Sequence, residues 1–386
     1  MRAAQALVLV SAVCACGAGH HVDQPASPPV VPDAGVVAVA AAAPAPVPPR
    51  RIDGGTIAVS ILPVPAYIEV ADHAQLVNCD LIVDNRTGVA WELAELQVTA
   101  RDRAGALVWR KFLSGNGVSP SILTVPNRAL PPGQTLIMNP LYELPGSLAL
   151  ARLEFELTYT HGDEQLVATA TVEPRPYTNH SQLALPLHGR VLVWDGHDFL
   201  SHHRRWDYVF APIRAFGFTS NAARYSYDLV PVDQDGAMHA GDPKDDHGYV
   251  GWGQPVYAPA AGTVVTVVDA MPDDHDFDKG ALKDDLMLVY GNRIIVDHGH
   301  GEHSVFAHLQ QGSAKVKVGD PVKAGAELAA IGASGSAMFP HLHYQLQTTA
   351  DGHAEGLPSY FTTLGQIDSG DLVTYPAPKP KPTPTR

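Results

Sequence analysis

From about residue 52 to residue 370 the chain alternates short Val-, Ile- and Leu-rich runs with turns built on glycine, proline and asparagine. Almost no stretch carries the apolar period of an amphipathic helix. A chain of this kind satisfies its backbone polar groups by pairing strands, and it buries apolar side chains by packing sheets. The first set of runs is Ile57 to Leu62, Leu76 to Val83, Leu96 to Ala100 and Leu153 to Tyr159. Turn signals such as Asp84-Asn85-Arg86-Thr87-Gly88 and Pro131-Pro132-Gly133 separate them, and this spacing predicts an immunoglobulin-like β-sandwich. A second set, Thr263 to Val268, Arg293 to Val296, Ser304 to Ala307 and Tyr344 to Gln347, predicts a second all-β domain.

At 386 residues there is room for two or three domains with their own cores. The formal charge of −14 speaks against nucleic acid and against a broad anionic membrane surface as partners. Met1-Arg2-Ala3 and the apolar run to Val13 read as a secretory signal, too short to span a bilayer. Val13-Cys14-Ala15-Cys16-Gly17 resembles a bacterial lipobox with Cys16 as the acylated residue, which implies an outer-membrane lipoprotein facing the periplasm. Cys79 is then the remaining thiol, so the mature chain has no internal disulfide. The expected organisation is a signal segment 1–16, a Pro/Ala-rich tether 17–51, the sandwich 52–178, a catalytic domain 179–370 and a Pro/Lys-rich tail 371–386. No nucleophile or metal constellation falls in the sandwich, which reads as a spacer or binding module.

Fifteen of the 19 histidines lie between His180 and Ser369, so any metal chemistry is expected there. In His341-Leu342-His343 both imidazoles project to the same side of a strand. Upstream stand His308, in Val305-Phe306-Ala307-His308-Leu309, and Asp228, at the end of Arg224-Tyr225-Ser226-Tyr227-Asp228 within a run of strand formers. Asp297-His298-Gly299-His300-Gly301-Glu302-His303 is also rich in donors. It lies between two strand signals and reads as a structural hairpin loop. The acidic insertion around Asp273-Asp274-His275-Asp276 and Lys283-Asp284-Asp285 reads as solvated loop, able to wall a substrate groove.

Five segments surround these histidines in order: Pro255 to Val264, Gly291 to Gly299, Ala307-His308-Leu309, Val316 to Val322, and Gly332-Ala333-Ser334-Gly335-Ser336 before His-Leu-His. Together they resemble the M23 family of zinc peptidases, the lysostaphin-like enzymes, over roughly residues 187 to 348. The resemblance implies a Zn2+ ion on Asp228 and His343, with His308 and His341 as catalytic histidines beside it. The family pattern His-x-x-x-Asp is broken here, because Arg224 stands four residues before Asp228 and a guanidinium does not coordinate metal. His203, in Ser201-His202-His203-Arg204-Arg205, is the favoured third ligand, with His202 second. Reading His203 to Asp207 as the whole motif ranks lower, since it would strand Asp228.

The function implied is a zinc endopeptidase that cuts the peptides of bacterial cell-wall peptidoglycan. One histidine would act as general base on a zinc-activated water, and the other would steady the oxyanion or pass a proton to the leaving amine. The alternative is an inactive M23-like protein that binds the wall or activates other wall hydrolases. Ala258 to Val265 and Val318 to Gly325 are similar to biotinyl and lipoyl carrier domains, but the lysine motif that those domains carry in the hairpin between their halves is missing, and a carrier gives no role to His-Leu-His.

Overall fold

A computed structural model describes residues 50–376, apart from 53–56, 71–72, 116–120, 123–124, 126–127, 139–141 and 197. The signal-like segment 1–16 with Cys16, nearly all of the tether and the tail beyond Pro376 lie outside the described residues. The chain is all-β, and the one α-helix among the described residues is a single turn, Ala211–Arg214. No helix among them is long and apolar enough to cross a membrane.

The N-terminal strands are β1 (Ile57–Val70), β2 (Ala74–Asn85), β3 (Trp91–Arg101), β4 (Leu107–Ser114), β5 (Thr135–Met138), β6 (Arg152–His161) and β7 (Glu164–Val172). They form two sheets, one ordered β7-β6-β3-β4 and the other β1-β2-β5, with shorter strands at the margins. Alternate residues of both sheets feed one core: Val77, Leu81 and Val83 from β2 meet Leu96, Val98, Phe155 and Leu157 from β3 and β6. The period of two that marked these runs in the sequence is the period at which the strands bury side chains.

The C-terminal strands are β8 (Gly189–Asp195), β9 (Tyr227–Pro231), β10 (Gly262–Val268), β11 (Arg293–Asp297), β12 (His303–Ala307), β13 (Leu342–Gln347) and β14 (Leu372–Tyr375). They make an antiparallel sheet ordered β10-β11-β12-β13-β9-β8-β14. Two expectations shift. Residues 372–375, assigned by composition to the tail, form the edge strand on β8, because Val373 and Tyr375 pack on the core. The run Arg224 to Val230 becomes strand only from Tyr227; Arg224 and Ser226 donate their amides back to Asn221 and Ala223 in turns.

Period-two alternation sorts the two faces of this sheet. Leu342, Tyr344 and Leu346 of β13 join Ile294, Val296 and Phe306 in the main core. His341, His343, Gln345 and Gln347 are therefore on the opposite face, and all four are buried. Buried polar side chains demand partners, so this face is where a site is expected. Register then aligns a row across four strands. Asp195 on β8 pairs with Asp228 on β9, Asp228 with His343 on β13, and His343 with Ala307 on β12.

Candidate metal centre

The row places Asp228 and His343 side by side, with His343 Nδ1 3.0 Å from Asp228 Oδ1. The third group is delivered by the loop after β8. His203 Nε2 lies 3.6 Å from Asp228 Oδ2, and its ring centroid is 4.8 Å from that of His343. One ligand atom from each of His203, Asp228 and His343 falls within a 4.8 Å cluster, all three residues buried. Two imidazoles and a carboxylate are the donor set that suits zinc with a position left open.

The remaining imidazole nitrogens are tied down, which fixes which nitrogen is free. Gln347 Nε2 donates to the Thr349 carbonyl at 2.6 Å, and a carbonyl only accepts. Gln347 Oε1 therefore accepts from Gln345 Nε2, which leaves Gln345 Oε1 to accept from His343 Nε2–H at 2.8 Å. His343 Nδ1 is left with its lone pair toward Asp228 and His203. On the other side, His203 Nδ1 stands 2.6 Å from Asp195 Oδ2, so its Nε2 is the inward nitrogen. Asp195 also accepts the backbone amides of His202 and His203, at 3.1 and 3.2 Å. Such outer partners orient metal-binding histidines and raise their basicity. The residues present fit a zinc ion.

His308 and His341 stand beside this trio. Their ring centroids are 4.9 Å apart, and His308 is 5.9 Å from His343. His308 Nδ1 donates to the Ser334 carbonyl at 2.9 Å, and His341 Nδ1 donates to the Phe339 carbonyl at 2.8 Å. Both therefore turn Nε2 inward as the exchangeable nitrogen, and His341 Nε2 is 3.5 Å from Asp228 Oδ1. His308 sits just past β12 with φ 58°, a left-handed conformation that costs a non-glycine residue on the order of 1–3 kcal/mol. Its amide donates to the Tyr290 carbonyl, while Asn292 Nδ2 and Ser334 Oγ donate to the carbonyl of Leu309. Gly291, at φ 61°, lies so close that a Cβ there would come within 2.5 Å of the Ser334 backbone.

The charges are consistent with this arrangement. Burial would raise the Asp228 carboxyl, but the adjacent imidazoles of His203, His341 and His343 hold it well below the usual range. Burial pushes the His308 imidazole well below its ordinary value, and the neighbouring His341 and His343 add to that. His203 is also lowered by burial, against the pull of Asp228 and Asp195. His341 moves up, because Asp228 outweighs its burial.

The structure thus brings His203, Asp228, His343, His308 and His341 to one place. His202 points elsewhere: its side chain is largely exposed and meets Asp195, with which it and His203 form a second donor group. Arg224 coordinates nothing and is wholly buried, its guanidinium 2.6 Å from Asp80 and 2.9 Å from Glu355. The hairpin 297–303 joins β11 to β12, and its Glu302 accepts from Tyr177 and from the amides of His180 and Ser181.

The acidic insertion is more ordered than a solvated loop. Asp273 accepts the amides of Gln311 and Ala333, and two short 3-10 helices, Lys279–Lys283 and Leu286–Tyr290, bury Leu282, Leu286 and Met287. The flanking acids concealed that apolar run, which sets the Tyr290 ring against His343 at 5.4 Å. Sequence reasoning missed Asp195 and Gln345. A carboxylate closing the Val-rich strand just before His202-His203, and a Gln two residues beyond His-Leu-His, are the signals that could have found them.

Residues 249–354 match the model of Peptidase family M23, so the chain carries a domain of this zinc-dependent peptidase family. That match holds His308, His341 and His343 but begins after His203 and Asp228. Among solved structures, an M23 peptidase from Pseudomonas aeruginosa is 16% identical over 69% of this chain and 87% of its own, with a TM-score of 0.26. The catalytic domain of lysostaphin from Staphylococcus simulans is 23% identical over 31% of this chain and 86% of its own, at 0.21. A zinc-containing peptidase from Vibrio cholerae is 16% identical over 60% and 86%, also at 0.21. At these values the likenesses assign no activity to this chain. No curated protein matches it significantly.

Proposed function

We propose that the chain is a zinc endopeptidase of the bacterial envelope that hydrolyses the peptides of peptidoglycan. The observation that carries this reading is the convergence of His203 Nε2, Asp228 and His343 Nδ1, each with its outer nitrogen or neighbour already engaged, beside two further imidazoles. Zinc held there supplies a Lewis acid that lowers the pKa of a water toward ~7 and polarises a peptide carbonyl. His308 and His341 present Nε2 to the same space. A neutral Nε2 accepts a proton from the attacking water, and the other imidazole, once protonated, donates to the developing oxyanion or to the leaving amine.

The inactive reading was prompted by Arg224. Its ion pairs with Asp80 and Glu355 give it a structural place, and His203 fills the donor position it vacates. Acylation at Cys16 and an outer-membrane location would put the domain within reach of the wall; mass analysis of the N-terminal peptide of the mature protein tests that. The enzymatic reading predicts one zinc per chain and release of muropeptides from purified sacculi. A folded protein that takes up zinc and releases none would turn the reading toward a binding role, and one that takes up no zinc would end it.

A further inference from the structure

We infer that the N-terminal sandwich is a working part of the metal centre, positioning the His203 segment through Glu69, Asn78, Asp80 and Tyr208. The inference rests on the reading of His203 as a zinc donor. Between the end of β8 and the turn at Ala211 the described residues that lead to and from His203 pair with no strand. Their backbone is held by local turns, by Asp195, which accepts the His202 and His203 amides, and by Asn221, whose Nδ2 donates to the His203 carbonyl at 2.8 Å. Those bonds hold the start of the segment, and its continuation through Arg204 and Tyr208 is held from outside the catalytic sheet.

The outer face of β2 supplies that support. Asn78, Asp80 and Ile82 alternate along the strand away from the sandwich core, a face that is ordinarily polar and wet. Here Asn78 is 2% and Asp80 0% exposed. What covers them is the segment just after His203. Arg204, the next residue, is 1% exposed, with its Nη1 3.2 Å from Glu69 Oε1. The amide oxygen of Asn78, oriented to satisfy both ends of that side chain, accepts from Arg204 Nε and Nη2 at 3.1 and 3.2 Å. Tyr208 donates its hydroxyl to Asp80 Oδ2 at 3.0 Å and packs with Val209 on Ile82.

The same Asp80 oxygen takes Arg224 Nη2, four residues before Asp228. Two of the three donor segments are therefore stapled to one strand of the sandwich. Buried ion pairs of this kind are directional and leave a costly orphan charge if either partner moves. Such contacts fix a conformation rather than merely adding stability. They specify where the loop sits.

The test uses the full chain, with Tyr208→Phe, Glu69→Gln, His203→Ala and, as a control, Glu154→Gln, which breaks the Arg101 pair on the sandwich far from these contacts. Zinc affinity is read by competition with a chromophoric chelator. Hydrogen exchange of amides 201–209 is read in the chelator-treated protein, with β10–β12 as internal reference. Tyr208→Phe and Glu69→Gln are expected to weaken zinc about tenfold, as loss of orienting contacts does, and to speed exchange at 201–209 alone. Glu154→Gln is expected to stay within about twofold of wild type. If Glu69→Gln does not fold, Tyr208→Phe decides, since it removes one hydroxyl. Wild-type affinity and exchange in Tyr208→Phe, with zinc lost in His203→Ala, overturn the inference alone. Undiminished zinc binding in His203→Ala overturns both it and the donor assignment.

Discussion

Replacing Asp195 by asparagine exchanges one oxygen for an NH2 group and should cripple the metal centre. The carboxylate accepts the amides of His202 and His203 and lies 2.6 Å from the Nδ1 of His203 and 3.1 Å from the Nδ1 of His202. An asparagine has one accepting oxygen and one donating nitrogen. With its NH2 toward His203, it demands an unprotonated Nδ1, which moves the ring proton to Nε2, the nitrogen that faces Asp228 and zinc. With its oxygen toward His203, the NH2 opposes the amide donor of His202 and the loop must shift. Either outcome spoils the inward lone pair without deleting any ligand. Outer-sphere losses of this type cost about 10–100-fold in metal affinity, equivalent to ~1.4–2.7 kcal/mol. The assay is zinc affinity by chelator competition, on protein whose circular dichroism matches wild type. A folded Asp195→Asn chain that binds zinc within about twofold of wild type would refute the tautomer reasoning.

The two adjacent histidines should separate cleanly: His203→Ala is expected to lose zinc by more than about 100-fold, whereas exposed His202→Ala stays within about threefold, both read by metal titration. His308→Gln and His341→Gln should each keep one zinc by elemental analysis yet lower peptide hydrolysis about 10²–10⁴-fold, the range for loss of a proton-transfer group. Gly291→Ala forces a Cβ against the Ser334 backbone at positive φ, and chemical denaturation should show a loss of about 1–3 kcal/mol or more.

In chelator-treated protein, melting temperature should peak near pH 6.5, the ordinary histidine value. Folding lowers His203 and His308, so their stability is complete above 6.5 and lost as pH falls through their folded values. Folding raises His341, so its stability is complete below 6.5 and lost as pH rises through its folded value. His308→Gln should flatten the acid limb and His341→Gln the alkaline one; unchanged limbs would contradict the shifts.

The sequence by itself determined the all-β architecture, because period-two apolar runs between glycine and proline turns leave no other way to bury both side chains and backbone. It also determined that His341 and His343 share a face, since strand alternation is a local rule. Proximity of His203 to Asp228 was not local. It depends on β8 pairing with β9 at a register that sets Asp195 beside Asp228, and on the sandwich gripping Arg204 and Tyr208. The same is true of Arg224, which in sequence looked like a broken ligand motif and in three dimensions completes a buried charge cluster with Asp80, some 144 positions away along the chain. Ion pairs, register and the conversion of an acidic insertion into a wall beside His343 are contacts between distant segments, and only the tertiary structure decides them.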